Sequence, residues 1–400
     1  MKKGWEEKKL GEVCRFINGR AYSKNELLVN GKYTVLRVGN FFTNNNWYYS
    51  DLELEDDKYC DNGDLLYAWS ASFGPRIWTG NKVIYHYHIW KVVPNSDIIS
   101  KQFLFQLLEW DTEAIKKAHG TGTTMMHVGK GDIEKRLVPL PPLPEQQQIV
   151  SILDEAFAAI DQAKENLQRN LQNAKDLFQS ELNNIFTNKG EGWLEKKLGE
   201  VTTKIGSGAT PRGGSESYKT EGISLVRSMN VHDGYFKEKN LAFIDDKQAK
   251  ELSNVTLEEN DVLLNITGAS VARCCVMPKD FLPARVNQHV SVVRPTKGVI
   301  DPYFLNLLLT SKFYKEQLLE TGEQGATRQA ITKAQLQDFV INYPTFKEQQ
   351  KIVQQLDTLS TETKNLENIY QQKLNNIEEL KKSILEKAFR GELTNKVVQS

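Results

Sequence analysis

Two long segments of this chain carry apolar residues at helical spacing on an otherwise polar background. The first, residues 145–186, contains no glycine and no proline. Its apolar stripe consists of Ile149, Leu153, Phe157, Ile160, Ala163, Leu167, Leu171, Ala174, Phe178, Leu182 and Ile185. This three- and four-residue spacing predicts one amphipathic helix, roughly 60 Å long at about 1.5 Å per residue. A helix of that length needs a partner against which to bury its stripe.

The second segment, residues 348–389, has the same composition and supplies the partner. Its stripe consists of Ile352, Leu356, Leu359, Leu366, Tyr370, Leu374, Ile377, Ile384 and Ala388, with breaks at Thr363 and at Leu380 and Lys381. We predict that the two helices pack along their stripes as a coiled coil. The globular segment between them has to return the chain, which favours antiparallel packing and a pseudo-two-fold duplication.

The rest of the chain is duplicated as well. Residues 4–13 recur almost letter for letter as residues 192–201, and the sequence from Glu145 to Val150 recurs from Glu348 to Val353. Weaker matches keep the same order along the chain: 35–40 with 225–230, 63–66 with 260–263, 88–94 with 289–295, and 122–124 with 325–327. Collinear matches of this kind indicate two copies of one unit, a globular domain followed by a long helix.

The repeat predicts the domain bounds, and short apolar runs predict the fold class. We expect globular domains at residues 1–144 and 189–347, and helices at 145–188 and 348–400. Runs rich in β-branched or aromatic residues predict strands at 34–38, 64–69, 89–93, 223–227, 261–266 and 290–294. Helical patterns lie at residues 100–118 and 302–321. Each domain is therefore expected to be α/β or α+β, with a strand order that the pattern does not determine.

Composition narrows the class of protein. Lys and Arg together number 51 and so do Asp and Glu, so no overall basic surplus points to nucleic acid. The four cysteines lack CxxC spacing, the N-terminus has no apolar signal segment, and no apolar run is long enough to span a bilayer. We therefore expect a cytoplasmic protein with reduced thiols.

The starts of the two helices carry the motif that relates this chain to a known family. They read Leu143-Pro-Glu-Gln-Gln-Gln-Ile-Val150 and Phe346-Lys-Glu-Gln-Gln-Lys-Ile-Val353. Together with the duplication, this motif resembles the DNA-specificity (S) subunit of type I restriction-modification systems. The stretches Gly206-Ser-Gly-Ala-Thr-Pro211 and Ser383-Ile-Leu-Glu-Lys-Ala-Phe-Arg-Gly-Glu-Leu393 match too. The first copy departs from the pattern, with Asn18-Gly-Arg-Ala-Tyr22 where the second has the Gly-Ser-Gly stretch.

The resemblance implies a division of labour among several subunits. Two target-recognition domains would each read one half of a split, asymmetric site in double-stranded DNA, and the helices would set the gap between the halves. Two modification subunits would dock on this chain, bind S-adenosylmethionine and methylate adenine. Motor-nuclease restriction subunits would add ATP- and magnesium-dependent translocation and cleavage. No cofactor or metal is implied for this chain.

Polar and aromatic residues near the predicted loops are candidates for DNA contact, because Arg can bind guanine and Asn or Gln can bind adenine through paired hydrogen bonds. In the first domain they are Arg20, Tyr22, Arg37, Asn40, Trp69, Ser70, Phe73 and Arg76. In the second they are Ser207, Thr210, Arg212, Arg227, Asn230, Thr267, Arg273, Gln288 and Arg328. Arginine and asparagine recur at matched positions 37/227 and 40/230, where support of the fold or of the DNA backbone is favoured. The unshared Trp69, Arg76, Arg212 and Arg273 are the stronger candidates for base reading.

Residues repeated at the helix starts are candidates for docking the modification subunits. They are Glu145, Gln146, Gln147, Glu348, Gln349 and Gln350.

Two other classes of protein compete with this interpretation. A scaffold protein with duplicated protein-binding domains would explain the zero net charge. A stand-alone methyltransferase or nuclease is disfavoured, since the sequence has no GxxxxGK[ST] loop, no Asn/Asp-Pro-Pro-Tyr/Phe string and no cluster of catalytic carboxylates. His86 and His88 flank Tyr87 on one predicted strand face, but a third metal ligand is not evident, and packing is favoured.

Overall fold

The chain forms two compact units that share its two longest helices. A computed structural model describes residues 2–42, 45–70, 74–119, 128–323 and 330–394. For residues 117–119 only the backbone is described. The first unit comprises Met1–Gln168 and Gln372–Ser400, and the second comprises Arg169–Gln371.

The described residues of the first unit form ten strands, four short or medium helices and the first long helix. The strands are β1 (Glu6–Lys9), β2 (Cys14–Asn18), β3 (Tyr33–Leu36), β4 (Tyr48–Ser50), β5 (Tyr59–Cys60), β6 (Leu65–Ala68), β7 (Gly74–Ile77), β8 (Val83–Tyr85), β9 (Ile89–Pro94) and β10 (Leu137–Leu140). The helices are α1 (Leu10–Val13), α2 (Val38–Phe42), α3 (Lys101–His119), α4 (Lys130–Glu134) and α5 (Leu143–Thr187).

The strands of the first unit form two four-stranded sheets and a separate pair. One sheet is antiparallel in the order β2-β9-β6-β7, and the other has the order β4-β3-β8-β5 with β3 and β8 parallel. Strand β1 pairs with β10. Strand β6 is buried on both faces: Leu65 and Tyr67 pack with α3, whereas Leu66 and Ala68 pack toward the second sheet. A strand buried on both faces requires an apolar residue at every position, and β6 has one at each.

The second unit repeats this architecture. Its strands are β11 (Leu194–Lys197), β12 (Thr202–Ser207), β13 (Ile223–Val226), β14 (Val231–His232), β15 (Tyr235–Phe236), β16 (Ala242–Ile244), β17 (Val262–Asn265), β18 (Cys274–Val276), β19 (Ala284–Val286), β20 (Val290–Pro295) and β21 (Val340–Tyr343). Its helices are α6 (Asp246–Glu251), α7 (Pro302–Thr310), α8 (Lys312–Glu323), α9 (Lys333–Asp338) and α10 (Phe346–Phe389).

The sheets of the second unit follow the strand order of the first, except that its described residues form no strand equivalent to β5. An antiparallel sheet runs β12-β20-β17-β18, a three-stranded sheet runs β16-β13-β19 with β13 and β19 parallel, and β11 pairs with β21. The hairpin of β14 and β15 is the local addition. The mixed sheet-and-helix fold and the duplication predicted from the repeat are thus confirmed.

Helices α5 and α10, of 45 and 44 residues, pack antiparallel within each unit. In the first unit Ile149 and Leu153, early in α5, share a core with Leu385 and Phe389, late in α10. In the second unit Leu182 and Phe186, late in α5, share a core with Ile352 and Leu356, early in α10. The predicted antiparallel pairing along the apolar stripes is confirmed in both units.

The structure corrects three local predictions. The strand predicted at 34–38 ends at Leu36, and Val38 begins helix α2. The helix predicted at 302–321 is broken at Ser311, whose backbone is extended. In the α10 stripe, Leu366 is exposed, whereas Thr363, expected to be a break, is buried and bonds to the carbonyl of Leu359.

Candidate nucleic-acid interface

Equivalent edges of the two antiparallel sheets bring some of the predicted site residues together. At the end of β6 the backbone amide of Trp69 donates to the backbone carbonyl of His88 over 3.1 Å. At the end of β17 the backbone amide of Ile266 donates to the backbone carbonyl of His289 over 3.0 Å. The same backbone hydrogen bond closes both edges, but the side chains that follow differ. Each edge therefore offers one scaffold for a different surface.

In the second unit this edge borders an open cavity of about 690 Å³. The lining residues are Ser228, Met229, Thr267, Gly268, Ala269, Ser270, Arg273, His289 and Ala330. The predicted residues Thr267 and Arg273 thus lie in one cavity. Most of their neighbours are small or hydroxyl-bearing, and Met229 and His289 are the larger side chains of the lining.

A chain of hydrogen bonds leads to two residues that line this cavity, His289 and Thr267. The Thr210 hydroxyl donates to Oε1 of Gln288, and Nε2 of Gln288 lies 3.1 Å from Nε2 of His289. Nδ1 of His289 lies 2.5 Å from the hydroxyl oxygen of Thr267. Thr210, Gln288 and Thr267, which are all predicted site residues, are therefore joined through His289, which was not predicted.

Arg227 and Asn230 are occupied within the second unit. Asn230 is fully buried, accepts a hydrogen bond from the amide of Arg227 and donates to the carbonyl of Lys237 over 2.9 Å. The Arg227 guanidinium donates to the carbonyl of Asn240 and lies over the ring of Tyr218. Burial removes Asn230 from the residues that can reach DNA in this conformation, and its amide instead closes a turn.

The remaining candidates of the second unit lie at its surface or outside the described residues. Ser207, the last residue of β12, is exposed, and so is Arg212 in the loop that follows this strand. Arg328 lies outside the residues that the structure describes, as does Phe73 in the first unit.

In the first unit the same edge carries aromatic rings. The indole of Trp69 donates to the carbonyl of Tyr87 over 2.8 Å, stacks on Trp90 and meets His88 edge-on. The neighbouring Ser70 is buried. This edge presents stacking and apolar surface where the second unit presents an open cavity.

The histidine beside this edge is held uncharged at neutral pH. Burial, followed by the neighbouring His88 and Arg37, lowers the pKa of His86 to about 4. The rings of His86 and His88 lie 4.9 Å apart between their centroids. A neutral imidazole can both donate and accept hydrogen bonds at a base edge.

Arg20 and Tyr22 form a polar cluster at the loop after β2. Arg20 donates to Glu26 over 2.7 Å, and that hydrogen bond is the first cause that lowers the pKa of Glu26 to about 2. The guanidinium lies over the ring of Tyr22 at 5.3 Å, and burial raises the pKa of the Tyr22 hydroxyl. This arginine is partly neutralised before any ligand arrives.

The other candidates of the first unit lie elsewhere. Arg37 lies over the ring of Tyr48 at 5.2 Å, and the side-chain amide of Asn40 donates to the carbonyl of Asn46. Arg76 is exposed, lies over the ring of Phe42 at 5.2 Å and borders a separate groove of about 630 Å³ between β7, α3 and α10. Arg76 and Trp69 therefore contribute to different surfaces.

Two of the residues predicted to dock partners are buried at the junctions of domain and helix. The amide nitrogen of Gln146 donates to the carbonyls of Ile98 and Pro141, and its oxygen accepts from the amide of Ser100. Gln349 makes the same three bonds to Val299, Pro344 and Asp301. Both side chains are fully buried, so they join the domain to the helix and present no surface to a partner.

The other helix-start residues differ in exposure. Glu145 accepts from Lys2, Trp5 and Thr394, which ties both ends of the chain to the start of α5. Three members of the set are exposed, namely Gln147, Glu348 and Gln350.

Sequence reasoning missed several cavity residues, above all His289, Met229 and Ser270. His289 had a signal, because it matches His88 in the internal repeat. The other two follow no shared pattern, since Met229 stands where the first copy has Gly39 and Ser270 lies in a stretch with no match in the repeat.

Two other features are absent from the part of the chain that the structure describes. Among the residues that the structure describes, no three or more His, Cys, Asp or Glu side chains are grouped so that they could hold a metal ion. Of the helices in the described ranges, none is both long and apolar enough to cross a membrane.

These features define a duplicated protein in which two domains of one fold present different side chains at equivalent edges and are joined by antiparallel helices. The family model of the type I restriction modification DNA specificity domain matches residues 2–172 and 190–379. The chain belongs to that family.

Known relatives agree over nearly the full length. The specificity subunit of the type I restriction enzyme EcoBI from Escherichia coli is 24% identical over 98% of this chain and 86% of its own. The HsdS subunit from Thermoanaerobacter tengcongensis superposes with a TM-score of 0.61 at 20% identity, covering 98% of both chains. A chain from a structure concerned with the assembly of a type I restriction-modification system reaches 0.71 at 22% identity, over 98% of this chain and 99% of its own. These structures share the fold.

Proposed function

We propose that this chain is the sequence-specificity subunit of a type I restriction-modification complex and has no catalytic activity of its own. Target-recognition domains at residues 1–144 and 189–347 would each read one half of a bipartite, asymmetric site in double-stranded DNA. The helices at 145–188 and 348–400 would act as the spacer between them. This proposal keeps the domain bounds that the internal repeat predicts.

The observation that carries the proposal is the contrast between equivalent edges. One backbone arrangement presents Trp69, Tyr87 and His88 in the first unit but Thr267 and Arg273 in the second. Base contacts are worth about 1–3 kcal/mol each, so two such surfaces add their discrimination over a split site. Different side chains on a shared scaffold suit the reading of two unlike half-sites.

The chemistry would belong to partner subunits. Two modification subunits would bind S-adenosylmethionine and methylate adenine in each half-site, and restriction subunits would use ATP and magnesium. This chain would supply DNA contacts and positions for docking.

Mapping of methylated sites tests the proposal. The full chain is co-expressed with a candidate modification subunit, and N6-methyladenine is mapped by long-read sequencing. A split motif of two short blocks around a fixed gap is expected, and cells that express either protein alone should lack it. A complex that methylates without sequence preference, or a failure of the two proteins to associate, would contradict the proposal and favour a scaffold protein.

Docking at the helix starts is a separate part of the proposal and has its own test. The exposed residues Gln147, Glu348 and Gln350 are the members of the predicted set that a partner can reach. Their combined replacement by lysine should weaken capture of the modification subunit in a pull-down. Capture at the unchanged level would show that docking occurs elsewhere.

A further inference from the structure

Arg273 is the cation most available for a ligand in the cavity of the second unit. Within the described part of the chain, no hydrogen bond, ion pair or ring contact engages its guanidinium. Most other arginines of this unit are occupied: Arg227 by Asn240, Arg285 by Ala249 and Arg294 by Asp261. A free guanidinium that borders an open cavity is suited to a ligand with paired acceptors.

The loop that carries Arg273 is fixed before any ligand binds. Asn265 is fully buried, and its side-chain amide donates to the carbonyl of Ser228 and to the Ser270 hydroxyl. Its backbone carbonyl accepts from the amide of Ala272, which is held at a left-handed φ of 65° directly before Arg273. Such a conformation is unfavourable in a residue other than glycine, so the surrounding bonds must impose it.

The hydrogen bonds that run from Thr210 through Gln288 and His289 to Thr267 have a definite direction of donation. Because Thr210 donates to Oε1 of Gln288, the Nε2 group of Gln288 donates to Nε2 of His289. That nitrogen must then be unprotonated, so Nδ1 of His289 carries the proton and donates to the Thr267 oxygen. The hydroxyl proton of Thr267 is left for an acceptor in front of it.

We propose that the second unit reads a guanine through Arg273, with the guanidinium donating to O6 and N7 in the major groove and the Thr267 hydroxyl donating to a neighbouring acceptor. This assignment rests on the proposed function as a DNA-specificity subunit. Thr210, Gln288 and His289 act as positioning residues, since they orient Thr267 and do not themselves bind the base.

The first unit is built differently at the matching position. In the second unit Arg273 stands opposite Asn265 across the β17–β18 pair, and in the first unit Gly74 stands opposite Ala68 across β6–β7. A glycine supplies no donor from its side chain. The guanine contact is therefore expected in only one of the two half-sites.

The test selects bound sequences from randomised DNA duplexes with the full chain and its variants. The wild type should enrich a split motif in which one block contains an invariant guanine. Arg273→Ala should lose the preference at that one position, on the order of 10- to 100-fold, while all other positions keep theirs. Replacing that guanine by 7-deazaguanine, which lacks the N7 acceptor, should weaken binding of the wild type and leave Arg273→Ala unaffected.

Matched variants separate the paired donors of the Arg273 guanidinium from its positive charge and from the effect of the positioning residues. Arg273→Lys keeps the charge but lacks the planar pair of donors, so it should bind DNA and discriminate poorly at the same position. Thr210→Val should weaken the same preference from a distance, and Thr210→Ser should restore it. Lys247→Ala, on the exposed face of α6, controls for general loss of positive charge.

Three outcomes would overturn the assignment. A motif unchanged in Arg273→Ala would exclude Arg273 as a base reader. A uniform loss of affinity at every position would make it a phosphate contact. Equal behaviour of Arg273→Lys and the wild type would reduce its role to charge. If the wild type enriched no split motif at all, the proposed function itself would fail, and that result is distinct from the other three.

Discussion

At Gly208 the backbone passes so close to the neighbouring loop that no side chain fits. A Cβ atom placed there would lie 1.8 Å from the carbonyl oxygen of Val286. Gly19 occupies the matching place in the first unit, where a Cβ atom would lie 2.3 Å from the carbonyl of Tyr85. In both units the glycine allows the loop after the first sheet strand to reach the edge that carries the candidate site.

Gly208→Ala should therefore destabilise the second unit by about 1–3 kcal/mol, because backbone must move to admit the methyl group. The measurement is the free energy of unfolding in guanidinium chloride. Gly206→Ala is the matched control: Gly206 lies two residues earlier, in β12, and a Cβ atom there meets nothing within 4 Å. Equal stability of the two variants would mean that the close approach at Gly208 does not constrain the fold.

Single residues were the least predictable part of the site. The repeat indicated that shared polar positions support the fold, and Asn230, buried and bonded to backbone, has that role. The sequence also placed Thr267 and Arg273 among the candidates. It could not show that His289 links Thr267 to Gln288, because the contact between Thr267 and His289 forms only when β17 pairs with β20.

At the scale of the elements, each long helix is attached to its domain through one buried glutamine. Gln146→Met should remove three hydrogen bonds and leave the Ser100 amide and the carbonyls of Ile98 and Pro141 unpaired in the interior. Unpaired buried groups cost about 1–3 kcal/mol each, and we expect a net loss of about 2–4 kcal/mol in the unfolding free energy of the first unit.

Gln147→Met provides the control for this substitution, because the neighbouring side chain is exposed. It should leave stability within about 0.5 kcal/mol of the wild type, as surface substitutions generally do. If Gln146→Met unfolded at the same denaturant concentration as Gln147→Met, the buried amide would not be what holds the helix to the domain.

Elements were predictable where the signal is local and unpredictable where it is tertiary. A stripe of apolar residues over forty or so positions predicts a helix without knowledge of its surroundings, and α5 and α10 follow it closely. The break between α7 and α8 has another cause. The amide of Lys312, at the start of α8, is capped by the side chain of Asn183 in α5. No pattern within residues 302–321 contains that partner.

At the scale of the whole molecule, each long helix begins in one unit and ends in the core of the other. Phe389, at the end of α10, packs on Phe103 with ring centroids 5.4 Å apart, and Phe186, at the end of α5, packs on Phe304 at the same distance. Both terminal phenylalanines are at least 97% buried. The first unit is therefore discontinuous in sequence, and its core is completed only by the last helical turns of the chain.

This exchange predicts a crossed pattern of destabilisation. Phe389→Ala should cost the first unit about 3–5 kcal/mol although residue 389 is remote from it in sequence, and Phe186→Ala should cost the second unit a similar amount. All tryptophans except Trp193 lie in the first unit, so their fluorescence reports its unfolding, and calorimetry reports both units. Phe389→Ala should lower the midpoint of the fluorescence transition and leave the calorimetric transition of the second unit in place. Phe186→Ala should lower that calorimetric transition and leave the fluorescence midpoint unchanged. Were both variants to shift both transitions equally, the chain would unfold as one cooperative block, and the division into two units would have no energetic meaning.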